Sequence, residues 1–153
     1  MTLSFVIRKT REEDIEKIYQ IEKVSFPYPY SPWDFRYYLE VEGDYFFVAE
    51  SEGEVIGYII ATLWKDLLTI VSLAVAPERR QEGVATALLK NIEEKCRDRV
   101  QRIELQVRVS NRAAIALYEK MGFEKGGLIP HYYRDGEDAY LFYKKLKRGL
   151  KDT

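Results

Sequence analysis

The chain is poor in the residues that build disulfides, metal centres and membrane spans. It holds one cysteine, Cys96, and one histidine, His131, in 153 residues. A lone thiol forms no intrachain disulfide, which suits a reducing compartment, and a cytoplasmic location is expected. One Cys and one His are too few to start a tetrahedral site, so no metal is expected. No apolar run reaches the roughly 18 residues of a membrane-spanning helix; Val55 to Trp64 is far too short. The opening Met-Thr-Leu-Ser-Phe-Val-Ile-Arg has no basic segment followed by an apolar stretch and cleavage site, so no export leader is expected. Strong charge of either sign is missing too. A formal net charge of -1 gives no general pull toward nucleic acid or an anionic membrane, and neither is expected as a partner. The local basic run Lys144, Lys145, Lys147, Arg148, Lys151 reads as a solvated tail. No repeat, low-complexity block or Pro/Gly/Ser linker interrupts the chain, so residues 1–153 are expected to form one domain.

What is present is a substantial apolar fraction, 46%, enough for a real core. Phe5 to Arg8 is a short strand candidate. Thr10 followed by Glu13 has the spacing of a capping box. It opens a helix whose apolar stripe is Ile15, Ile18, Ile21 and Val24. Two prolines in Phe26-Pro27-Tyr28-Pro29-Tyr30 end that helix. Ser31-Pro32 reads as an N-cap followed by proline at the first helical position, with a helix running through Phe35 and Leu39 to about Gly43. Strands are expected at Tyr45–Glu50, Val55–Trp64 and Leu67–Val75, the first two joined as a hairpin through residues 51–54. Pro77 to Gly83 is a polar loop. Val84, Leu88, Ile92 and Cys96 recur every four residues and mark a third helix. Ile103, Leu105 and Val107 alternate as in a strand. Asn111 precedes a fourth helix, with Ala114, Leu117, Tyr118 and Met121 inward and Gly122 as a left-handed stop. Phe123–Ile129 and Ala139–Leu146 close the series. Hairpins early and strand–helix alternation late predict an α/β (α+β) architecture, a mixed sheet with helices on both faces.

Chemistry concentrates where a buried strand, Leu73-Ala74-Val75, runs into a polar loop, a glycine and a helix start: Arg79-Arg80-Gln81-Glu82-Gly83-Val84-Ala85-Thr86. The first amides of a helix lack internal partners and, with the helix dipole, attract an anion. Gly83 permits close backbone approach, Ala85 offers little obstruction, and Arg79 and Arg80 can add charge. A pyrophosphate fits this arrangement; an ordinary strand–helix connection containing a glycine is the plain alternative. Neither G-x-x-x-x-G-K-[ST] nor G-x-G-x-x-G occurs, which argues against a nucleoside triphosphatase or dinucleotide enzyme.

Arg80-Gln-Glu-Gly83-Val-Ala85 resembles the Q/R-x-x-G-x-G/A signature of the GCN5-related N-acetyltransferase (GNAT) superfamily. Val107-Arg-Val-Ser-Asn111-Arg-Ala-Ala114-Ile-Ala-Leu-Tyr118-Glu-Lys-Met-Gly122-Phe123 resembles its second signature, and the interval between the two also fits. The likeness covers nearly the whole chain and implies a twisted mixed sheet of about seven strands flanked by four helices. Phe26-Pro27-Tyr28-Pro29-Tyr30-Ser31 and His131-Tyr132-Tyr133-Arg134-Asp135-Gly136-Glu137-Asp138-Ala139-Tyr140 resemble the peptide-binding loop and tyrosine-rich hairpin of one branch. That branch includes the ribosomal-protein alanine N-acetyltransferases (RimI-like) and the N-α-acetyltransferase catalytic subunits.

The resemblance implies acetyl-CoA as cosubstrate and roles for individual residues. The backbone of Arg80, Gln81, Glu82, Gly83, Val84, Ala85 and Thr86 would cradle the pyrophosphate. Leu73, Ala74 and Val75 would pair with the pantetheine arm, and an amide there would hold the oxyanion. Asn111 and Ala114 would line the cofactor arm, Asn111 also reading as an N-cap. Tyr118 would protonate the departing thiolate, against the plain reading of a core tyrosine. Phe26, Pro27, Tyr30, Tyr132 and Tyr133 would form a peptide cleft, or else simply pack a loop and a hairpin.

The chain departs from the branch at the base. The ribosomal alanine enzymes commonly carry glutamate where this chain has Gln106, a neutral amide that can only hold water or amine. Glu104, two residues earlier, shares its strand face; Tyr28, Tyr30, Asp34 and His131 are other candidates. An α-amine, with a pKa of about 7.7–8.0 against about 10.4 for lysine, is already partly neutral and needs a base less. The expected activity is therefore acetyl transfer to a protein N-terminus, with ribosome association or an auxiliary subunit as further expectations. Lysine or small-amine acetylation and a non-catalytic CoA-sensing module are the alternatives.

Overall fold

The computed structural model describes residues 4–146, and the basic run beyond Lys145 lies outside the described residues. The elements are β1 (Val6–Lys9), α1 (Ile15–Ser25), α2 (Pro32–Val41), β2 (Phe46–Ser51), β3 (Glu54–Trp64), β4 (Leu67–Val75), α3 (Val84–Cys96), β5 (Arg102–Arg108), α4 (Arg112–Lys120), β6 (Glu124–Ile129) and β7 (Ala139–Lys145). Hydrogen bonding orders the strands β1-β2-β3-β4-β5-β7-β6. β4 and β5 pair parallel, whereas β1–β2, β2–β3, β5–β7 and β6–β7 pair antiparallel, so the sheet is mixed as expected. Two compact units divide the chain, one made of residues up to Thr62 with Val71–Lys95, the other of Leu63–Ile70 with the residues from Cys96 on.

In the first unit the β2–β3 hairpin turns through Glu52 and Gly53, both at positive φ as a type I′ turn requires. Ile15, Ile18 and Ile21 of α1 and Phe35 of α2 pack with Phe46, Val48, Tyr58 and Ile60 in one buried cluster. Gly57 faces the other way, because neighbouring strand residues alternate. A Cβ at Gly57 would lie 3.1 Å from Val84 Cγ1 and 3.4 Å from Leu88 Cδ1, so α3 packs close over that face. Helices thus cover both faces here. The stripe Val84, Leu88, Ile92, Cys96 is fully buried, as its spacing predicts.

Two expectations at α1 need correction. The cap is not Thr10 with Glu13. The chain enters through a 3₁₀ turn, Glu12–Asp14, and Asp14 Oδ2 accepts from the Arg11 amide at 2.7 Å. Asp14 also takes a two-pronged bond from Arg8, at 2.8 and 2.9 Å. A shorter side chain one residue later, with a half-buried cation partner, wins over Glu13, which is exposed. The apolar stripe also does not continue to Val24, which is 61% exposed. The inward position is Glu22, the i+4 neighbour of Ile18, at 2% exposure.

In the second unit β5 runs antiparallel to β7 from Arg102↔Lys145 to Arg108↔Ala139. Its parallel ladder with β4 has three pairs and ends at Thr69↔Glu104. Helix α4 stops in a Schellman motif: the Phe123 amide donates to Tyr118 O at 2.9 Å and the Gly122 amide to Glu119 O at 3.0 Å. Gly122 takes φ +93, which explains glycine there.

Asp14 generates a pH prediction. Burial works to raise its pKa, but the Arg8 and Arg11 hydrogen bonds outweigh it and the net direction is down. Its stabilisation is therefore present above the unfolded carboxylate value, about 3.9, and is lost as pH falls through the lower folded value. Asp14→Asn is expected to cost about 2 kcal/mol at pH 7. That deficit should shrink toward zero in urea titrations carried down to about pH 2.

Candidate active site

The first unit supplies an anion cradle. After β4 the chain makes a 3₁₀ turn, Pro77–Arg79, inside what the sequence suggests is a plain loop. Gln81 and Gly83 then take φ +65 and +84. A left-handed Gln costs on the order of 1 kcal/mol, a strain of the kind found at ligand-holding loops. Helix α3 starts as Ala87 N donates to Gly83 O at 3.0 Å. The amides of Val84, Ala85 and Thr86 precede the first intrahelical bond and have no protein acceptor among the described residues. No atom lies within 4 Å of where a Gly83 Cβ would stand, so the loop is open at its tightest point. Three parallel donors at the positive end of a helix dipole suit a pyrophosphate.

The arginines serve this loop differently from the expected addition of charge. Arg79 pairs with Glu82 at 2.9 Å and reaches Ser51 Oγ at 3.4 Å. Arg80 donates Nε to Val75 O at 3.1 Å and Nη2 to Ser25 Oγ at 3.3 Å. Both guanidiniums brace the loop against β4, β2 and α1, leaving the backbone as the donor surface. Ala74 and Val75 are buried and Leu73 half-buried at the end of β4.

The α1–α2 loop belongs to the same unit. Phe26 and Tyr30 pack against the core cluster, while Pro27 and Tyr28 are exposed. Tyr30 sits edge-on to Phe35 at 6.3 Å and to Tyr38 at 6.0 Å. Asp34 is committed to capping α2: its Oδ2 accepts from Ser31 N at 2.7 Å, which removes it as a free base.

The second unit holds the remaining candidates. Tyr118 is buried, with its ring edge-on to Phe123 at 5.6 Å. The Schellman motif fixes both residues, so the helix stop also seats the phenol. Burial first, and nearby Tyr133 second, push the Tyr118 pKa well up, so its hydroxyl stays a proton donor throughout the neutral range. Asn111 Oδ1 caps α4 by accepting from Ala114 N at 3.1 Å, leaving its amide NH₂ as donor. Gln106 and Glu104 lie two apart on β5, both half-buried. Glu104 is tied to Arg102 at 2.7 Å, which occupies one of its oxygens. Tyr132 and Tyr133 form an edge-on pair at 5.0 Å. Arg108 lies 4.1 Å over the Tyr133 ring and bonds Asp135 and Glu137 at 2.9 and 2.8 Å. Burial first, then Tyr132, raises the Tyr133 pKa to about 12. His131 holds its turn, with Nδ1 3.1 Å from Gly136 O.

The sequence reading missed Arg108 as the clamp of this hairpin, and missed Ser25. It also missed the buried trio Glu22, Tyr58 and Ser72. One signal was available: an acidic residue on the helical apolar stripe.

The profile of the acetyltransferase (GNAT) family matches residues 15–123. The N-alpha-acetyltransferase of Saccharolobus solfataricus is 38% identical, over 93% of this chain and 93% of that protein. A putative ribosomal protein bS18-alanine N-acetyltransferase of Bacillus subtilis is 36% identical, over 94% of this chain and 97% of the other. The crystal structure of Ard1 from Thermoplasma volcanium superposes with a TM-score of 0.91 at 28% identity, covering 95% of this chain and 99% of that one.

A left-handed alanine costs about 1–2 kcal/mol relative to glycine. Gly83→Ala should therefore weaken binding of coenzyme A by about tenfold, measured by titration calorimetry. Gly53→Ala, at a comparable φ of +81 in the β2–β3 turn, should carry a similar stability cost and leave affinity unchanged.

Proposed function

The chain belongs to the GNAT family and is an acetyl-CoA-dependent acetyltransferase, and from that premise we propose that its acceptor is the α-amino group of a protein N-terminus. The observation that carries the cosubstrate half is the donor set on the first turn of α3, opened by Gly83. The acceptor half is supported by the named activities of the two curated relatives. It is supported too by two aromatic segments, each held by its own bonds: residues 26–31 by capping and core packing, residues 131–138 by the Arg108 clamp.

Acetyl-CoA supplies the thioester carbonyl that an uncharged amine attacks. The chain's residues do the rest. The loop from Arg80 to Thr86 holds the pyrophosphate, chiefly through the amides of Val84, Ala85 and Thr86, and the backbone of Leu73–Val75 holds the pantetheine arm and the oxyanion. A donor in that role contributes roughly 3–4 kcal/mol in other enzymes. The amine nitrogen bonds to the carbonyl carbon, and the carbon–sulfur bond then breaks. Tyr118 passes its proton to the sulfur and regains, through water, the one that the amine gives up. Because a buried phenolate is costly, the phenolic proton moves only as charge develops on sulfur. Gln106 orients a water that receives the amine proton. An α-amine fits this weakly basic arrangement better than lysine, because roughly a tenth of it is neutral near pH 7. A ribosomal protein, bS18, is named as the substrate of the Bacillus subtilis relative, and a nascent chain at the ribosome in the cytoplasm is the setting we favour.

Peptides with free and with blocked N-termini, each carrying an internal lysine, test the acceptor. Mass-spectrometric site assignment should place the acetyl group on the free α-amine alone; modification of the blocked peptide at lysine overturns the reading. Tyr118→Phe should lower kcat by about tenfold or more and change the acetyl-CoA KM by less than about twofold.

A further inference from the structure

Glu22 is 2% exposed, on the inward face of α1, in the core cluster's company of isoleucines and aromatics. It makes no ion pair among the described residues. Its Oε1 accepts from the hydroxyl of Tyr58 and from Ser72 Oγ, the latter at 2.9 Å. Its Oε2 accepts from the backbone amide of Tyr30 at 3.0 Å. A buried carboxylate with no cation is a costly way to fill an apolar stripe. A leucine there would pack better, so what Glu22 provides is acceptor geometry.

That geometry bears on the α1–α2 loop. Pro27 and Pro29 have no amide hydrogen, so two of the loop's anchoring points are missing from its chemistry. Phe26 N is used by the last turn of α1, donating to Glu22 O at 3.0 Å, and Ser31 N by the cap of α2. The Tyr30 amide ties the loop inward, and the tie runs to β3 through Tyr58 and to β4 through Ser72. The Tyr30 ring completes the circuit: it packs on Phe35, which packs on Tyr58 at 5.9 Å.

We propose that Glu22 is a positioning residue for the acceptor peptide: by bonding the Tyr30 amide from within the core, it sets the pose of the loop that receives the substrate. This rests on the reading above, in which Tyr30 belongs to the peptide cleft. Glu22 touches no reacting atom and acts through Tyr30.

Steady-state kinetics on free-N-terminus peptides test it, with acetyl-CoA and peptide varied separately. Glu22→Leu removes the acceptor and is expected to raise the peptide KM by about tenfold, leaving the acetyl-CoA KM within about twofold. Glu22→Gln keeps an oxygen for the Tyr30 amide, while the Tyr58 and Ser72 hydroxyls can turn to accept from its NH₂. It is expected to restore the peptide KM to within about threefold of wild type. Glu22→Asp keeps the carboxyl group but is shorter by one carbon, so it should behave like Glu22→Leu; it stands in if the leucine variant does not fold. A folded leucine or aspartate variant with unchanged peptide KM overturns the proposal. So does an equal rise in both KM values, or a glutamine variant as impaired as the leucine one. Failure of the acceptor reading looks different, because wild-type protein would then acetylate none of these peptides.

Discussion

The proposed chemistry depends on one electrostatic constraint, the three amides that open α3 without a protein acceptor among the described residues. Unpaired donors at a helix start are ordinarily met by a capping side chain or by water. Here the preceding residues are arranged so that no side chain fills that role. Gly83 has none, Glu82 is turned away onto Arg79, and Arg80 is turned back onto β4. A strained Gln81 completes the curl. The loop keeps its polar side chains occupied with one another and with the strand end, and so presents backbone.

The same economy recurs at each candidate position. Asn111 caps α4 with its oxygen and keeps its amide group for another use. Tyr118 is held by the bonds that terminate its helix. Tyr133 is stacked under an arginine that is itself pinned by two carboxylates. Each of these three side chains thus has a separate structural reason for its orientation. Groups fixed before the substrate arrives need no reorganisation when it reacts.

Much of the fold was legible because it follows from periodicity and turn chemistry. The four-residue spacing from Val84 to Cys96, the alternation of Ile103, Leu105 and Val107, Ser31-Pro32 and Gly122 each state a local geometry that the structure then adopts. Legibility failed where tertiary partners decide. Asp14 outcompetes Glu13 because Arg8, on another element, reaches it. Glu22 replaces Val24 on the buried face because Tyr58 and Ser72, far along the chain, supply donors. The candidate site divides in the same way. Its backbone elements and Tyr118 could be named from motif spacing. The burial that lifts the Tyr118 pKa, the engagement of Glu104 by Arg102 and the clamp of Arg108 on Tyr133 depend on neighbours that no local pattern reveals.

The manner in which α4 ends has an engineering consequence. Its last turn closes on itself through Gly122 and Phe123, so the backbone bonds that seat Tyr118 lie within the six residues 118–123, with Lys144 of β7 bonding Met121 O from outside. The tyrosine-bearing hairpin further along could be lengthened to admit different acceptors while the phenol stays put, provided that Tyr133, which helps raise the Tyr118 pKa, is kept. Selectivity and proton delivery are thereby separable modules of one short polypeptide.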